Sequence, residues 1–172
     1  MNTSHTSSSE DSLKQEDVIA MVNSILDGGQ PGVLSTLDFH GAPQSRWMAT
    51  SSFEGFPCFY TLTSTDSPKV EQIEAHPQVH WMFSSPDLKL VVNLTGRACV
   101  LPPDPAILKK IWHQIADKSR AYFLGDSVHG PGFSIIETTV EVVECTLPEL
   151  GRKLFLDPHR IHPERHTAAP GC

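Results

Sequence analysis

Apolar residues fall at helical spacing in three stretches of this chain and at strand-like spacing between them. Val18, Met21, Val22, Ile25 and Leu26 recur every third or fourth position after the capping-box pattern Ser12–Gln15. Gly28-Gly29 ends the run, which predicts an amphipathic helix over about residues 12–27. Residues 32–38, 43–52 and 57–63 are strand-like runs, separated by Phe39-His40-Gly41 and Glu54-Gly55. That turn chemistry predicts a three-stranded meander. Ser67-Pro68-Lys69 opens a short helix: Ser67 is a good N-cap, and Pro68 takes the first helical position, where a missing N–H costs nothing. Strands 78–84 and 88–101 follow, turned at Pro86-Asp87, and Gly96 inside the second predicts a bulge or bend. Asp104-Pro105 caps a helix over about 105–117, with Ile107, Leu108, Ile111 and Ile115 on one face. A Gly-rich loop at 125–132 precedes a last strand at 133–145.

This order predicts a mainly β, α+β domain of six mostly antiparallel strands with flanking helices, closed as a small barrel or sandwich. Closure removes exposed strand edges. The expected organisation is a disordered tail over 1–11, one folded domain over 12–150 and a polar C-terminal tail over 151–172. The tail shows no apolar periodicity, so removal of residues 155–172 is expected to leave folding nearly unchanged. Glu137, Glu141 and Glu144 are expected on a solvated face of the last strand.

Charge narrows the function classes. A formal net charge of −7 argues against a general nucleic-acid binder, which needs a basic footprint to release phosphate counterions. It leaves room for one small phosphate ligand held by local donors. The N-terminus has neither a basic nor an apolar leader region, and no apolar run reaches the ~18 residues of a membrane span. A soluble cytoplasmic protein with no membrane partner is expected. Cys58, Cys99, Cys145 and Cys172 form no C-x-x-C pair, so free thiols are expected. His159, His162, His166 and Cys172 lie in the unpatterned tail, and no metal site is expected.

One segment carries chemistry. Thr61 to Lys69, T-L-T-S-T-D-S-P-K, ends a strand, clusters hydroxyls and begins a helix with a lysine in its first turn. A helix N-terminus carries unpaired N–H groups and about half a positive charge, so a lysine there is unfavourable unless an anion joins it. Hydroxyls, N–H groups and Lys69 together make a phosphate cradle. Arg46, on the preceding strand of the meander, could reach the same anion. The plainer alternatives are an ordinary capped helix with an exposed lysine and a surface arginine.

The series as a whole resembles the pyridoxamine 5′-phosphate oxidase-like flavoproteins, in their short general stress protein 26 form. The matching segments are G-V-L-S-T-L-D-F-H-G-A-P-Q-S-R-W-M at 32–48, F-Y-T-L-T at 59–63, S-P-K-V-E-Q-I-E-A-H-P-Q-V at 67–79, T-G-R-A at 95–98 and the helix with Trp112. The resemblance covers about Asp17 to Glu144 and implies a split β-barrel homodimer with flavin mononucleotide (FMN) at the interface. Arg46 and Lys69 would hold the phosphate. Met48, Ala49 and Thr50 would run along the isoalloxazine ring by backbone contacts, Trp47 would be a further cofactor-binding residue, and Tyr60, Thr61 and Ser67 would lie near the phosphate and ribityl chain. Trp112 would approach the flavin from the partner subunit, or else be a buried core residue.

The implied activity is an FMN-dependent oxidoreductase acting on a small-molecule redox partner. The alternatives are a non-catalytic flavin sensor or store, and a barrel that takes FAD, deazaflavin or haem. The chain departs from the true oxidase. Arg160 and His162 do not follow a matching tryptophan-containing strand, and Asn93 stands nearest to where the family has a glutamine. Oxidation of pyridoxamine 5′-phosphate is therefore not expected.

Overall fold

The computed structural model describes residues 14–27, 30–52, 56–115 and 132–161. The expected tail over 1–11, the Glu54-Gly55 turn and most of the Gly-rich loop lie outside the described residues. Among the described residues three α-helices and seven strands form in the order α1 (Gln15–Asp27), β1 (Gly32–Leu37), β2 (Pro43–Met48), β3 (Cys58–Ser64), α2 (Pro68–Ala75), β4 (Gln78–Ser84), β5 (Val91–Leu101), α3 (Pro105–Gln114), β6 (Phe133–Leu147) and β7 (Arg152–Leu156). No described helix is long and apolar enough to cross a membrane.

All strand pairs are antiparallel, in the order β2-β1-β4-β5-β6-β3, with β7 added to β6. The meander expected from turn chemistry is therefore only half formed. β1 and β2 make a hairpin from Leu37↔Pro43 to Gly32↔Met48. β3 instead pairs with β6, from Cys58↔Thr139 to Ser64↔Phe133. The physical reason lies in burial: five consecutive residues of β3, Phe59 to Thr63, are buried, and both faces need cover that β2 alone cannot supply. β2 also stops at Met48 rather than 52. The chain then bends so that Ser51 meets Tyr60, with N–H···O=C bonds of 2.8 and 2.7 Å. Among the described residues this bridge joins the two ends of the sheet, and the seam between β2 and β3 is the split in the barrel.

Alternation places the core. Leu34, Trp81, Leu94, Val143 and Leu156 follow one another in register across five strands and are all buried. The indole N–H of Trp81 donates to Thr138 Oγ1 at 3.3 Å, so its one polar atom is satisfied. Val18, Val22, Ile25 and Leu26 of α1 pack into the same cluster. α3 starts where the sequence placed it: Asp104 accepts from the amides of Ala106 (2.7 Å) and Ile107 (3.2 Å). Its Ile111, with Ile115 just beyond, joins a second cluster around Ala49, Tyr60, Leu62 and Ile135.

The bulge predicted at Gly96 is present. The β5–β6 register shifts between Thr95 and Gly96, and a Cβ on Gly96 would stand 2.1 Å from the carbonyl oxygen of Thr139. That neighbour is backbone and cannot swing away. Gly96→Ala is expected to lower stability by about 1–3 kcal/mol, read as a fall in the denaturation midpoint.

Three expectations need correction. The segment read as a polar tail contains β7, paired with β6 from Leu147↔Arg152 to Val143↔Leu156, so the sheet has seven strands rather than six. Its Leu156 and the following Ile161 are buried in the main core. Of the three glutamates, Glu141 is exposed, Glu144 is half-buried and pairs with Lys153 at 3.0 Å, and Glu137 is buried. Among the cysteines, Cys58 and Cys145 keep their thiols, but Cys99 is disulfide-bonded.

Candidate functional site

The site lies beside the seam, where β1, β2, β3 and α2 meet. Arg46 shares the inward face of β2 with the row that runs through Leu34 and Trp81. β2 is the sheet edge, so the arginine reaches past the core toward α2. Its Nη1 donates to Thr36 Oγ1 at 2.5 Å and its Nη2 donates to Gln72 Oε1 at 3.1 Å. Thr36 in turn donates to Gln72 Oε1 at 2.6 Å. Lys69, in the first turn of α2, donates to Thr63 Oγ1 at 2.8 Å and to Ser67 Oγ. Ser67 is the N-cap residue by position, but its hydroxyl makes no capping bond. It faces the lysine instead, which corrects the simple capped-helix reading.

The electrostatics of this group are unusual for an acidic protein. Arg46 and Lys69 are both half-buried, and among the described residues neither belongs to an ion pair. Burial pushes the arginine's pKa down. The lysine's is pushed down first by burial and then by the charge of Arg46. Each cation is therefore held in poorly solvated surroundings with the other as its charged neighbour. Such a pair is costly alone and favours an anion, which would relieve both terms at once. The donor supply suits an oxyanion. Arg46 keeps three N–H groups and Lys69 one beyond the bonds described. The α2 N-terminus adds its dipole.

The other sequence-selected residues fall further along the seam. Met48, Ala49 and Thr50 are buried where β2 ends, and Thr61 Oγ1 donates to the Ala49 carbonyl at 2.6 Å. Thr61 and Thr63 are two residues apart on β3 and so share a face; one fixes the end of β2 and the other accepts from Lys69. Tyr60 is 2% exposed: its backbone closes the barrel and its ring belongs to the second core cluster, not to an open surface. Trp112 is half-buried against that cluster, its ring 6.0 Å from that of Phe133. Trp47 alone points outward and is 55% exposed. The structure thus brings together Arg46, Ser67 and Lys69 at one end and Ala49, Thr61, Tyr60 and Trp112 at the other.

Thr63 belongs to the hydroxyl cluster the sequence pointed to, whereas Thr36 and Gln72 were missed. Both carried a signal. Thr36 is a polar residue at an inward position, two after the buried Leu34. Gln72 follows Lys69 by three positions, one helical turn, on a helix whose apolar face was otherwise assigned to Val70 and Ile73.

Comparison with known proteins gives a consistent result. The family model described as pyridoxamine 5′-phosphate oxidase matches residues 20–146. General stress protein 26 of Bacillus subtilis is 31% identical over 146 residues, spanning 82% of this chain and 95% of that protein. Among solved structures, a protein related to general stress protein 26 from Clostridium acetobutylicum superposes with a TM-score of 0.68 at 16% identity, over 87% of this chain and all (100%) of that one. A heme-binding protein from Mycobacterium smegmatis (TM-score 0.63, 16% identity, 82% of this chain and 58% of that one) shares the fold. So does a FAD-binding protein from Mesorhizobium loti (0.57, 14%, 73% and 90%).

Proposed function

Because this chain belongs to the pyridoxamine 5′-phosphate oxidase family and is related to general stress protein 26, we propose that it is a flavoprotein that holds FMN with its phosphate between Arg46 and Lys69. The observation that carries this reading is the pair of half-buried cations with no carboxylate among the described residues to neutralise them. Ser67, Thr63 and the α2 N-terminus would complete the phosphate cradle. The flavin ring would extend along the seam past Met48, Ala49 and Thr50, with Thr61 holding the strand end in place and Tyr60 and Trp112 beneath it. When bound, the cofactor would supply two-electron redox chemistry, so the proposed activity is an oxidoreductase with a small-molecule partner.

The test is the identity of the cofactor released by heat from the purified protein, read by absorbance and mass. FMN is expected. FAD or a deazaflavin would move the second phosphate or the ring chemistry outside this reading, and a Soret band from haem would overturn it. Anaerobic reduction by NAD(P)H, followed by turnover with an acceptor, distinguishes an enzyme from a flavin sensor or store.

We further propose a homodimer. Support comes from the outer face of the sheet. Trp47, Val33, Met82, Asn93, Glu144 and Phe155 stand in register as one row across six strands. Trp47, Met82 and Phe155 are 55, 39 and 68% exposed, and Val142 one row away is 44% exposed. Trp47, Val33 and Met82 form one apolar patch and Val142 and Phe155 another, divided by Asn93 and the Glu144–Lys153 pair; apolar exposure of this kind on a sheet face is characteristic of a contact surface. The cyclic dimer is the commonest closed assembly that would cover it. Light scattering is expected to give twice the chain mass, and Met82→Glu with Phe155→Glu to give a monomer. A monomeric wild type with flavin bound would exclude the dimer.

A further inference from the structure

We propose that Gln72 is a positioning residue for Arg46: it aims the guanidinium at the phosphate while leaving its charge unspent. The inference rests on the FMN reading above. The protons in this group are fixed by chemistry. Arginine has only donors, so only the amide oxygen of Gln72 can face it, and the Nη2–Oε1 distance is 3.1 Å. Thr36 Oγ1 accepts from Arg46 at 2.5 Å, so its single proton is free for Gln72 Oε1, 2.6 Å away. Both acceptors are buried, at 1% exposure for Thr36 and 8% for Gln72, where an unmade bond would be costly.

The consequence is a closed, neutral anchor. A carboxylate at position 72 would hold Arg46 equally well but would cancel the charge the phosphate needs. The amide holds it without doing so. α2 also delivers both halves of the site. Lys69 and Gln72 lie one turn apart, so the helix that supplies one cation aims the other. A guanidinium fixed at two of its nitrogens loses less freedom when it meets two phosphate oxygens than a free arginine would.

The test compares FMN and riboflavin affinities by flavin fluorescence quenching, with melting temperature measured alongside. Gln72→Met keeps the volume and removes the acceptor. It is expected to weaken FMN about five- to tenfold and to leave riboflavin within about twofold. In an Arg46→Ala background the same change is expected to have less than about a twofold effect, because its target is gone. Gln72→Glu is expected to weaken FMN more than Gln72→Met does, though it restores an acceptor. If Gln72→Met does not fold, Thr36→Val removes the other anchor and is expected to show the same selective loss. A wild type that binds FMN and riboflavin alike overturns the phosphate reading itself and this proposal with it. A wild type that prefers FMN overturns the positioning role alone under any of three results: no loss in Gln72→Met, equal loss for both ligands, or a loss that persists without Arg46.

Discussion

Arg46→Ala and Lys69→Ala are each expected to weaken FMN binding about 10- to 150-fold while leaving riboflavin binding nearly unchanged. The FMN phosphate carries close to two negative charges at neutral pH, and riboflavin carries none. At long range a protein of net charge −7 repels that phosphate, so attraction must come from a few groups at short range. A charge-assisted hydrogen bond contributes about 1.5–3 kcal/mol, which sets the size of each loss. Arg46→Lys is expected to recover only part of it, because an ammonium cannot present a planar fork to two oxygens. Equal losses for both ligands would mean that the substitutions damage the fold, and no loss for FMN would place its phosphate elsewhere.

The lysine adds a pH signature. Without ligand, burial and Arg46 hold its pKa below the ordinary 10.5, and a bound phosphate would raise it again. FMN binding is then coupled to proton uptake. The preference for FMN over riboflavin should be full below the lowered pKa and shrink as pH rises toward 10.5, and Lys69→Ala should lack that decline. Stability of the ligand-free protein has the opposite sign. The fold disfavours the charged lysine, so its cost is removed as pH rises through the same window.

Deleting residues 155–172 is expected to remove most of the protein's stability. The cut takes away Leu156 and Ile161, at 4% and 0% exposure, and opens the main core from below. Losing one large buried aliphatic side chain typically costs about 2–5 kcal/mol, and a domain of this kind holds only about 5–15 in all. Leu156→Ala and Ile161→Ala measure the parts separately, each expected to cost about 2–5 kcal/mol in chemical denaturation. A truncated chain that melts within a few degrees of the full one would show that these side chains are replaced by others.

That prediction reverses what the sequence suggested, and the reversal is instructive. β7 half-buries Leu154, exposes Phe155 and buries Leu156, so its burial alternates while its sequence, apolar at all three positions, does not. The signal was weaker but present: Leu154-Phe155-Leu156 stands between Gly151 and Asp157-Pro158, a short apolar run bounded by turn residues. The helices, the β1–β2 and β4–β5 hairpins and the Gly96 bulge were legible because each depends on neighbours in the chain. The partner of β3 was not, because nothing in residues 58–64 indicates pairing with residues 133–139. Likewise Arg46 and Lys69 were legible as residue types in a resembling series. The Thr36–Gln72 anchor was not, since its 36-residue separation exists only once α2 packs on β1.

The route by which β3 finds its place has a consequence for how the protein is made. β6 is the shared rail of the sheet: over 133–139 it holds β3, and over 143–147 it holds β7. β3 emerges from the ribosome some seventy residues before its partner, with five consecutive side chains that the finished fold buries. At about 5–20 residues per second it waits several seconds without its ladder. The hairpins on either side close early, so refolding should show a fast phase from local pairs and a slower one for the long-range closure of β3 onto β6. An apolar strand left waiting is also the segment most exposed to pairing with another chain, which makes residues 58–64 the expected site of aggregation during synthesis.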